Sequence, residues 1–518
     1  MAIIYNLEDR RVIPNWRDFK RTVQLNELRG VGSKKPNINF DLSNIKNDWN
    51  IENNIGIAAD LINASFVSDQ IKSKELNEAI QLFKANPNLS SNTINELITL
   101  IQGSNSGIDK KSLLEIDVNT LEQFKAFIDN KTLHKLINKT KTISKKEIRN
   151  PIIWVELARL YSMKGQNKKA ENAINIALHL APNNRFVLRC ATRFFIHNKI
   201  ADKALYYLKK SDSIKKDPWL IAAHISTSNV IGRYSPYIKN GISMIDSGNY
   251  DPFDLTELAS SIGSQEYFEG TFKKAKFFLN KSLISPNDNS LAQLEWLSQD
   301  DSRLDINILN YDNVINPFEA HAFDFYNKGE WTKAFENSIK WFLDTPFSKR
   351  PILTSSFIAG NMLKDYSSAI FLTKVGLQSR PFDPALLNNI LYYSALNDDL
   401  SEIDKYVKKI KDINFNNLPN NRKITIKATL GLIALKRNFI EEGLKLYESA
   451  IADAKKIGDE YLEKLAILNL TKELVKQNHK YQIKYIDLVK NLKIEKNEVD
   501  LIFYKKELFE LINKRLTY

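Results

Sequence analysis

The sequence predicts an all-α protein. Only 17 glycines and 15 prolines interrupt its 518 residues. Apolar residues recur every three or four positions in segments of about a dozen residues, which is the period of amphipathic helices. Alternating apolar and polar runs, which are typical of half-buried strands, are almost absent from the sequence. We therefore expect a long succession of helices.

Length and composition indicate a folded chain with more than one ordinary core. Hydrophobic residues make up 43% of the sequence, so the chain is expected to form two or three domains or one elongated array. No apolar run approaches the roughly 18 residues of a membrane span, and the start, MAIIYNLEDRR, has charges where a signal peptide has an apolar centre. Cys190 is the only cysteine, which excludes an internal disulfide. These features predict a cytoplasmic protein.

Changes in pattern along the chain divide it into five parts. The first part mixes basic residues with Pro, Gly and Asn and has no sustained period, so it is predicted to be an extended basic arm. The stretch SQDDSRLDI interrupts the helical period further along and predicts an acidic linker. The predicted parts are the arm at 1–50, a helical region at 51–150, a helical array at 151–299, the linker at 300–314 and a second array at 315–518.

A regular spacing runs from Trp154 to Pro182 in WVELARLYSMKGQNKKAENAINIALHLAP. With Pro151 counted as position 1, large residues fall at positions 4, 7, 11 and 24, small ones at 8, 20 and 27, and proline at 32. Positions 4, 7, 8 and 11 form one stripe on a first helix, and the small residues allow a second helix to approach closely. The residues at these positions are Trp154, Leu157, Ala158, Tyr161, Ala170, Ile174, Ala177 and Pro182.

This spacing resembles the tetratricopeptide repeat (TPR), a helix-turn-helix unit of 34 residues. Frames starting at Arg185, Ile315, Arg350 and Ile424 repeat it with departures, and a looser copy covers 254–287. The resemblance implies a TPR-like α-solenoid in which successive two-helix units share one core. It also implies that Trp154, Tyr161 and the alanines are packing residues.

The sequence shows no pattern that indicates catalysis, a cofactor or a metal. The histidines lack a metal-ligand spacing such as HExxH, and RGVGSKKP lacks the spacing of a phosphate-binding loop. Cys190 lies inside a predicted helix without a neighbouring base, so it is not predicted to be a nucleophile. The six histidines are His134, His179, His197, His224, His321 and His479.

Binding of a partner is therefore the predicted activity. In TPR proteins, positions 2, 5, 9 and 12 of each repeat usually face a concave groove, and the resemblance carries that role to this chain. Clustered arginines there are suited to an acidic segment, because guanidinium groups form forked hydrogen bonds with carboxylates. The alternative is that they form a solvated face or pair with carboxylates of the next repeat. The predicted groove residues are Arg159, Arg189, Arg193, His197, Glu319, Phe323 and Tyr326.

Two basic segments are further candidates for binding. Lys131, Lys135 and Lys139 fall on one face of a predicted helix and are candidate phosphate contacts. The alternative is an ordinary solvated face. In the arm, Trp16 lies among arginines and is a candidate partner contact, or it anchors the arm on the array. The candidate arm residues are Arg10, Arg11, Trp16 and Arg17.

Together these patterns predict a non-enzymatic scaffold or adaptor that binds a protein partner. Repeat proteins of this size in AT-rich bacteria often act beside a separate effector, including effectors of phage-defence systems, and the resemblance carries that expectation here. The alternative is a nucleic-acid-associated subunit, because the net charge is +13 and basic surfaces attract phosphates. The sequence does not determine the oligomeric state or the identity of the partner.

Overall fold

The computed structural model confirms the all-α prediction. It describes residues 1–2, 42–67, 70–87, 94, 97–98, 101–102, 121–128, 130–146, 151–250, 252–304, 306–311, 314 and 317–516. Every regular element in these residues is a helix. None of these helices is long and apolar enough to cross a membrane.

The chain divides into two compact units. The first unit comprises residues 7–320 and 343–347, and the second comprises residues 1–6, 321–342 and 348–518. The described helices of the first unit are α1 (Leu42–Ile51), α2 (Ile55–Val67), α3 (Lys74–Ala85), α4 (Leu121–Ile128), α5 (Asn130–Lys146), α6 (Pro151–Met163), α7 (Asn167–Leu180), α8 (Arg185–His197), α9 (Ala201–Lys210), α10 (Pro218–Val230), α11 (Ile238–Asp246), α12 (Pro252–Phe268), α13 (Phe272–Ser282) and α14 (Asp288–Asp300).

The second unit continues the same pattern of paired helices. A π-helical segment, Ile358–Met362, directly follows its third helix. The helices that lie wholly or mostly in this unit are α15 (Phe318–Asn327), α16 (Trp331–Asp344), α17 (Arg350–Phe357), α18 (Tyr366–Ser379), α19 (Pro384–Leu396), α20 (Leu400–Lys411), α21 (Asn420–Lys436), α22 (Ile440–Lys456), α23 (Glu460–Lys476), α24 (Gln482–Lys490) and α25 (Val499–Leu516).

A left-handed residue recurs in the turns between paired helices. Gly165 follows α6 with a φ of 70° and Lys199 follows α8 with a φ of 62°, and these two residues are 34 positions apart. Lys364 and Asp398, which follow the segments ending at Met362 and Leu396, have φ values of 60° and 54° and are also 34 positions apart. Such a residue ends one helix abruptly and lets the next helix pack back on it. The predicted TPR-like repeat is therefore present in the backbone.

The period is longer in the last modules. Asn438 follows α21 with a φ of 65° and Asn478 follows α23 with a φ of 50°, and the two are 40 positions apart. Each of α21, α22 and α23 has 17 residues. The 34-residue frame predicted from Ile424 therefore starts inside α21, because longer helices shift the register of the template.

Small residues let the paired helices approach closely, as the spacing predicts. Ala158, Ala170 and Ala177 are fully buried between α6 and α7. Helices α21 and α22 also approach closely, since a Cβ atom on Gly443 would lie 2.6 Å from Leu435 Cγ and 3.0 Å from the carbonyl oxygen of Gly431. Tyr161 is buried, whereas Trp154 is only partly buried.

Two predicted boundaries differ from the structure. Residues 42–50 were expected to be extended, but they belong to helix α1, which buries Trp49. The predicted linker at 300–314 contains two short 3-10 helices, Ser302–Leu304 and Ile308–Tyr311. It also buries Leu304 and Ile308 in apolar clusters, because its apolar residues face α14 and α13 rather than solvent. The described residues of the linker therefore pack as part of the first unit.

The left-handed turns predict opposite effects of glycine at equivalent positions. A non-glycine residue with positive φ is strained by roughly 1 to 2 kcal/mol, so Lys199→Gly should raise the free energy of unfolding by about 1 kcal/mol. Gly165→Ala, at the same place in the preceding turn, should lower it by about 1 kcal/mol. Urea unfolding of both variants and the parent measures this. Equal signs for the two changes would contradict the repeat assignment.

Candidate partner-binding surface

The predicted groove arginines lie on α6 and α8, which are the first helices of two successive helix pairs in the first unit. Arg159 lies on α6, and Arg189 and Arg193 lie on α8, with His197 at the end of α8. Their exposed fractions are 6% for Arg159, 3% for Arg189 and 5% for Arg193. His197 is partly exposed. We call these four residues the inner stripe. Its arginines are buried, so they do not line an open, solvated groove.

Arg189 is held by a carboxylate of a later repeat. Its Nη2 atom donates a hydrogen bond of 2.7 Å to Oε1 of Glu257 on α12. The same oxygen accepts bonds from the Nδ2 atoms of Asn287, at 2.8 Å, and Asn289, at 2.7 Å. The Arg189 guanidinium also lies 4.4 Å from the centroid of the Trp219 ring, where a cation is attracted by the aromatic face. One buried carboxylate thus joins α8 and α12 to the start of α14.

Arg159 contacts both a neighbouring carboxylate and a distant backbone carbonyl. Its Nε atom donates to Glu156 Oε2 at 3.1 Å, and its Nη1 atom donates to the carbonyl oxygen of Leu343 at 2.7 Å. Glu156 is itself buried. Arg159 therefore binds the backbone of a chain segment that is remote in sequence.

That segment, Leu343–Phe347, belongs to the first unit. The Phe347 ring centroid lies 5.3 Å from that of His197 and 6.5 Å from that of Phe194, and Arg193 Cζ lies 6.0 Å from it. Asp344, Thr345 and Phe347 are buried. The inner stripe therefore contacts a short polypeptide segment through a carbonyl oxygen and an aromatic side chain.

Glu319, Phe323 and Tyr326 lie on α15, and the two aromatic residues pack in a core. The Phe323 ring centroid lies 6.0 Å from that of Trp341, and Tyr326 lies 5.3 Å from Trp331 and 6.3 Å from Phe357. Glu319 is partly exposed. Phe323 and Tyr326 are therefore packing residues at positions that the resemblance placed in the groove. Trp341 stands at position 27 of the frame from Ile315, where the template has a small residue, and its ring packs against Phe323.

A second backbone contact of this kind lies in the second unit. Asn388 Nδ2 on α19 donates a hydrogen bond of 2.6 Å to the carbonyl oxygen of Met1. Asn388 is fully buried, and it lies outside the 34-residue frames that start at Arg350 and Ile424. Sequence reasoning missed this contact because a template assigns a position to a helix face but does not identify what contacts that face.

The basic helix α5 exposes two of its predicted phosphate contacts. Leu133 and Ile137 are buried, whereas Lys135 and Lys139 are exposed. The side chain of Lys131 lies outside the described residues, as do the arm residues Arg10, Arg11, Trp16 and Arg17. Among the side chains that the structure describes, no three or more His, Cys, Asp and Glu are grouped as a metal site.

No protein-family model matches the chain, and no curated protein matches its sequence. Among solved structures, the crystal structure of yeast Tom70 aligns with a TM-score of 0.30 and 13% identity, covering 78% of this chain and 96% of Tom70. The human IFIT1 dimer with PPP-AAAA aligns with a TM-score of 0.26 and 11% identity, covering 94% of this chain and all of that one. Both scores are low. The TPR-like description of this chain depends on its own turns and helix spacing.

The inner stripe predicts a large stability loss when one buried arginine is removed. Arg159→Leu removes the buried ion pair with Glu156 and the hydrogen bond to the Leu343 carbonyl, so the free energy of unfolding should fall by about 3 kcal/mol or more. Arg233→Leu is the matched control, because Arg233 pairs with Asp202 while the two side chains are 62% and 72% exposed; it should cost less than about 1 kcal/mol. Urea unfolding compares the two variants. Similar losses would contradict the buried role of Arg159.

Proposed function

We propose that this chain is a non-enzymatic scaffold or adaptor that binds a protein partner through its TPR-like arrays. The observation that supports this most is the contact between the inner stripe and Leu343–Phe347. Arg159 donates to a backbone carbonyl there, and Phe347 packs against His197 and Phe194. Leu343 is the second-last residue of α16, so its carbonyl is one of the helix-terminal acceptors that lack a partner within their own helix. A partner's segment can present a carbonyl and an aromatic side chain in the same way. The same surface chemistry is therefore suited to a partner's segment.

The partly exposed end of the inner stripe is the place where a partner can make contact. Arg159, Arg189 and Arg193 are buried, so a partner reaches them only if the residues that cover the inner stripe move away. His197 is partly exposed and contacts Phe347, so it is accessible without unfolding. Partner binding by the buried arginines, by Glu319, Phe323 and Tyr326, and by the arm remains part of this proposal. So does a role beside an effector in a bacterial multi-protein system such as phage defence.

Co-purification with the tagged full chain from its native host tests the proposal. We expect a protein partner to be recovered, and we expect His197→Ala to reduce its recovery. His179→Ala is the control, because His179 is exposed on α7 of the same unit and is not part of the inner stripe. Recovery of no protein partner would refute the proposed function. An equal loss with both variants would refute the role of the inner stripe.

Binding of nucleic acid is the second candidate, favoured by the exposed lysines of α5. Each phosphate contact that is lost reduces the dependence of log affinity on log salt by about 0.7 for single strands. Lys135→Gln with Lys139→Gln should therefore reduce that slope by about 1.4. Fluorescence anisotropy with a labelled single strand at several salt concentrations measures it.

The control for this experiment is Lys408→Gln with Lys411→Gln, which removes the same charge from two exposed positions on α20. A slope that changes equally in both double variants would indicate a general charge effect. An absence of binding at low salt would rule out this second candidate.

A further inference from the structure

Helix α25 contacts both the first helices of the second unit and its later ones. The Phe503 ring centroid lies 5.7 Å from that of Trp331 at the start of α16. The carboxylate of Asp500 accepts hydrogen bonds from Tyr326 on α15 and, at 2.5 Å, from Tyr461 on α23. The helix therefore lies across parts of the unit that are far apart in the sequence.

A single carboxylate holds the middle of α25. Oε2 of Glu507 accepts a hydrogen bond of 2.7 Å from Nζ of Lys364, and Oε1 accepts one of 2.9 Å from Nζ of Lys472 on α23. Lys364 lies in the turn before α18, and its Nζ atom is 5.3 Å from the ring centroids of Phe503 and Tyr504. Desolvation lowers the pKa of Lys364 to about 8, so its charge is partly removed from water. Glu507 is thus the point at which two other elements hold α25.

Beside these polar contacts, α25 is held by one narrow stripe of buried residues. Five of its described side chains are buried, compared with 11 in α21 and 12 in α23. Burial of apolar surface is the main term that favours folding. An ion pair whose side chains are 30% and 29% exposed, as in Lys364 with Glu507, adds little to it. We therefore expect α25 to detach more easily than α21 or α23. Its buried residues are Asp500, Leu501, Tyr504, Leu508 and Ile512.

The segment that joins α24 to α25 allows such a movement. Residues 491–498 are all exposed or partly exposed, and they form no helix. A connection without buried side chains can change its backbone angles at small cost. Its last residue, Glu498, pairs with Lys464 on α23 at 3.0 Å, so this contact opens together with the helix.

Detachment of α25 would change what the second unit presents to solvent. The residues that it covers include Tyr326, Trp331 and Tyr461. Tyr326 stands at a position that the TPR resemblance assigns to the groove. The groove position is therefore covered by a helix of the same chain, and the cover is held mainly by polar contacts at its middle.

We propose that α25 is a lid that detaches from the second unit as one element while the other helices of the unit remain folded, and that Glu507 holds it closed. This goes beyond the proposed function, since it concerns how the second unit opens rather than what the unit binds. Segment 491–498 is the hinge of this lid.

Native-state hydrogen exchange on the full chain tests the proposal. The amides of α25 should exchange through an opening that leaves α21 and α23 folded. The rate of that exchange should depend less on urea than the rates for α21 and α23, because a local opening exposes less surface than global unfolding. Equal free energies of opening and equal urea dependence for the three helices would overturn the proposal.

The variant Glu507→Gln tests the residue that holds the lid. It removes the charge that Lys364 and Lys472 share and keeps the shape of the side chain. Exchange of the α25 amides should become about five to ten times faster, since the loss of two partly exposed ion pairs shifts the opening equilibrium by that order. Glu510→Gln is the matched control, because Glu510 is exposed on the same helix, and it should change these rates by less than about twofold.

The amides of α21 should exchange at the parent rate in both variants. An equal effect of Glu507→Gln and Glu510→Gln on α25 would overturn the role of Glu507. An increase in α21 as large as that in α25 would show that the lid does not open separately, and it would overturn the proposal. The assay needs no partner, so its failure is distinct from a failure of the co-purification experiment.

Discussion

The buried pairing of polar groups on the inner helix faces is the constraint on which the first unit depends. All residues of α8 from Arg185 to Ile196 are buried, including three arginines. A buried guanidinium without a partner is strongly destabilising, so each one requires acceptors from another element. Asp217, Glu257 and Asn289 provide acceptors for Arg185, Arg189 and Arg193 in that order. The sequence predicts that Arg189 and Arg193 bind an acidic ligand. In the structure they hold helices of this unit together.

The fold was largely predictable because the packing stripe is local. The spacing of Trp154, Ala158 and Tyr161 fixes which faces of two adjacent helices meet, and a template of 34 residues locates the turns at Gly165 and Lys199. The 34-residue template no longer matches the helix positions near Asn438. The helices there have 17 residues each, and successive turns are 40 residues apart. It also failed to place the helix at Leu42–Ile51, which lies outside the frames that the sequence predicts.

The candidate site was less predictable because its contacts join residues far apart in sequence. The sequence of a helix that carries Arg189 and Arg193 is the same whether these side chains face solvent or are covered by another helix. The alternative interpretation was that the arginines pair with carboxylates of the next repeat. Arg189 does pair with a carboxylate, but its partner Glu257 lies two helix pairs later rather than in the next pair. Charge reversal at Arg189 would therefore unfold the unit, so a test of partner binding has to use an accessible residue such as His197.

Each unit, taken by itself, contains a buried side chain that donates a hydrogen bond to a backbone carbonyl far away in the sequence. In the first, a guanidinium binds the carbonyl of Leu343, and in the second, an amide binds the carbonyl of Met1. Both bonds are made to backbone atoms within their own unit. Phe347 in the first unit and Met1 in the second are buried, and both are large enough to fill space between helices.

A double-mutant cycle on Arg189 and Glu257 tests most directly whether buried polar pairs hold the helices of the first unit together. Urea unfolding of Arg189→Met, Glu257→Gln, the double variant and the parent chain gives the coupling free energy of the pair. A buried ion pair at 2.7 Å predicts a coupling of about 2 to 3 kcal/mol, with the double variant more stable than the sum of the single losses implies. A coupling below about 0.5 kcal/mol, as for solvated charges, would contradict the account.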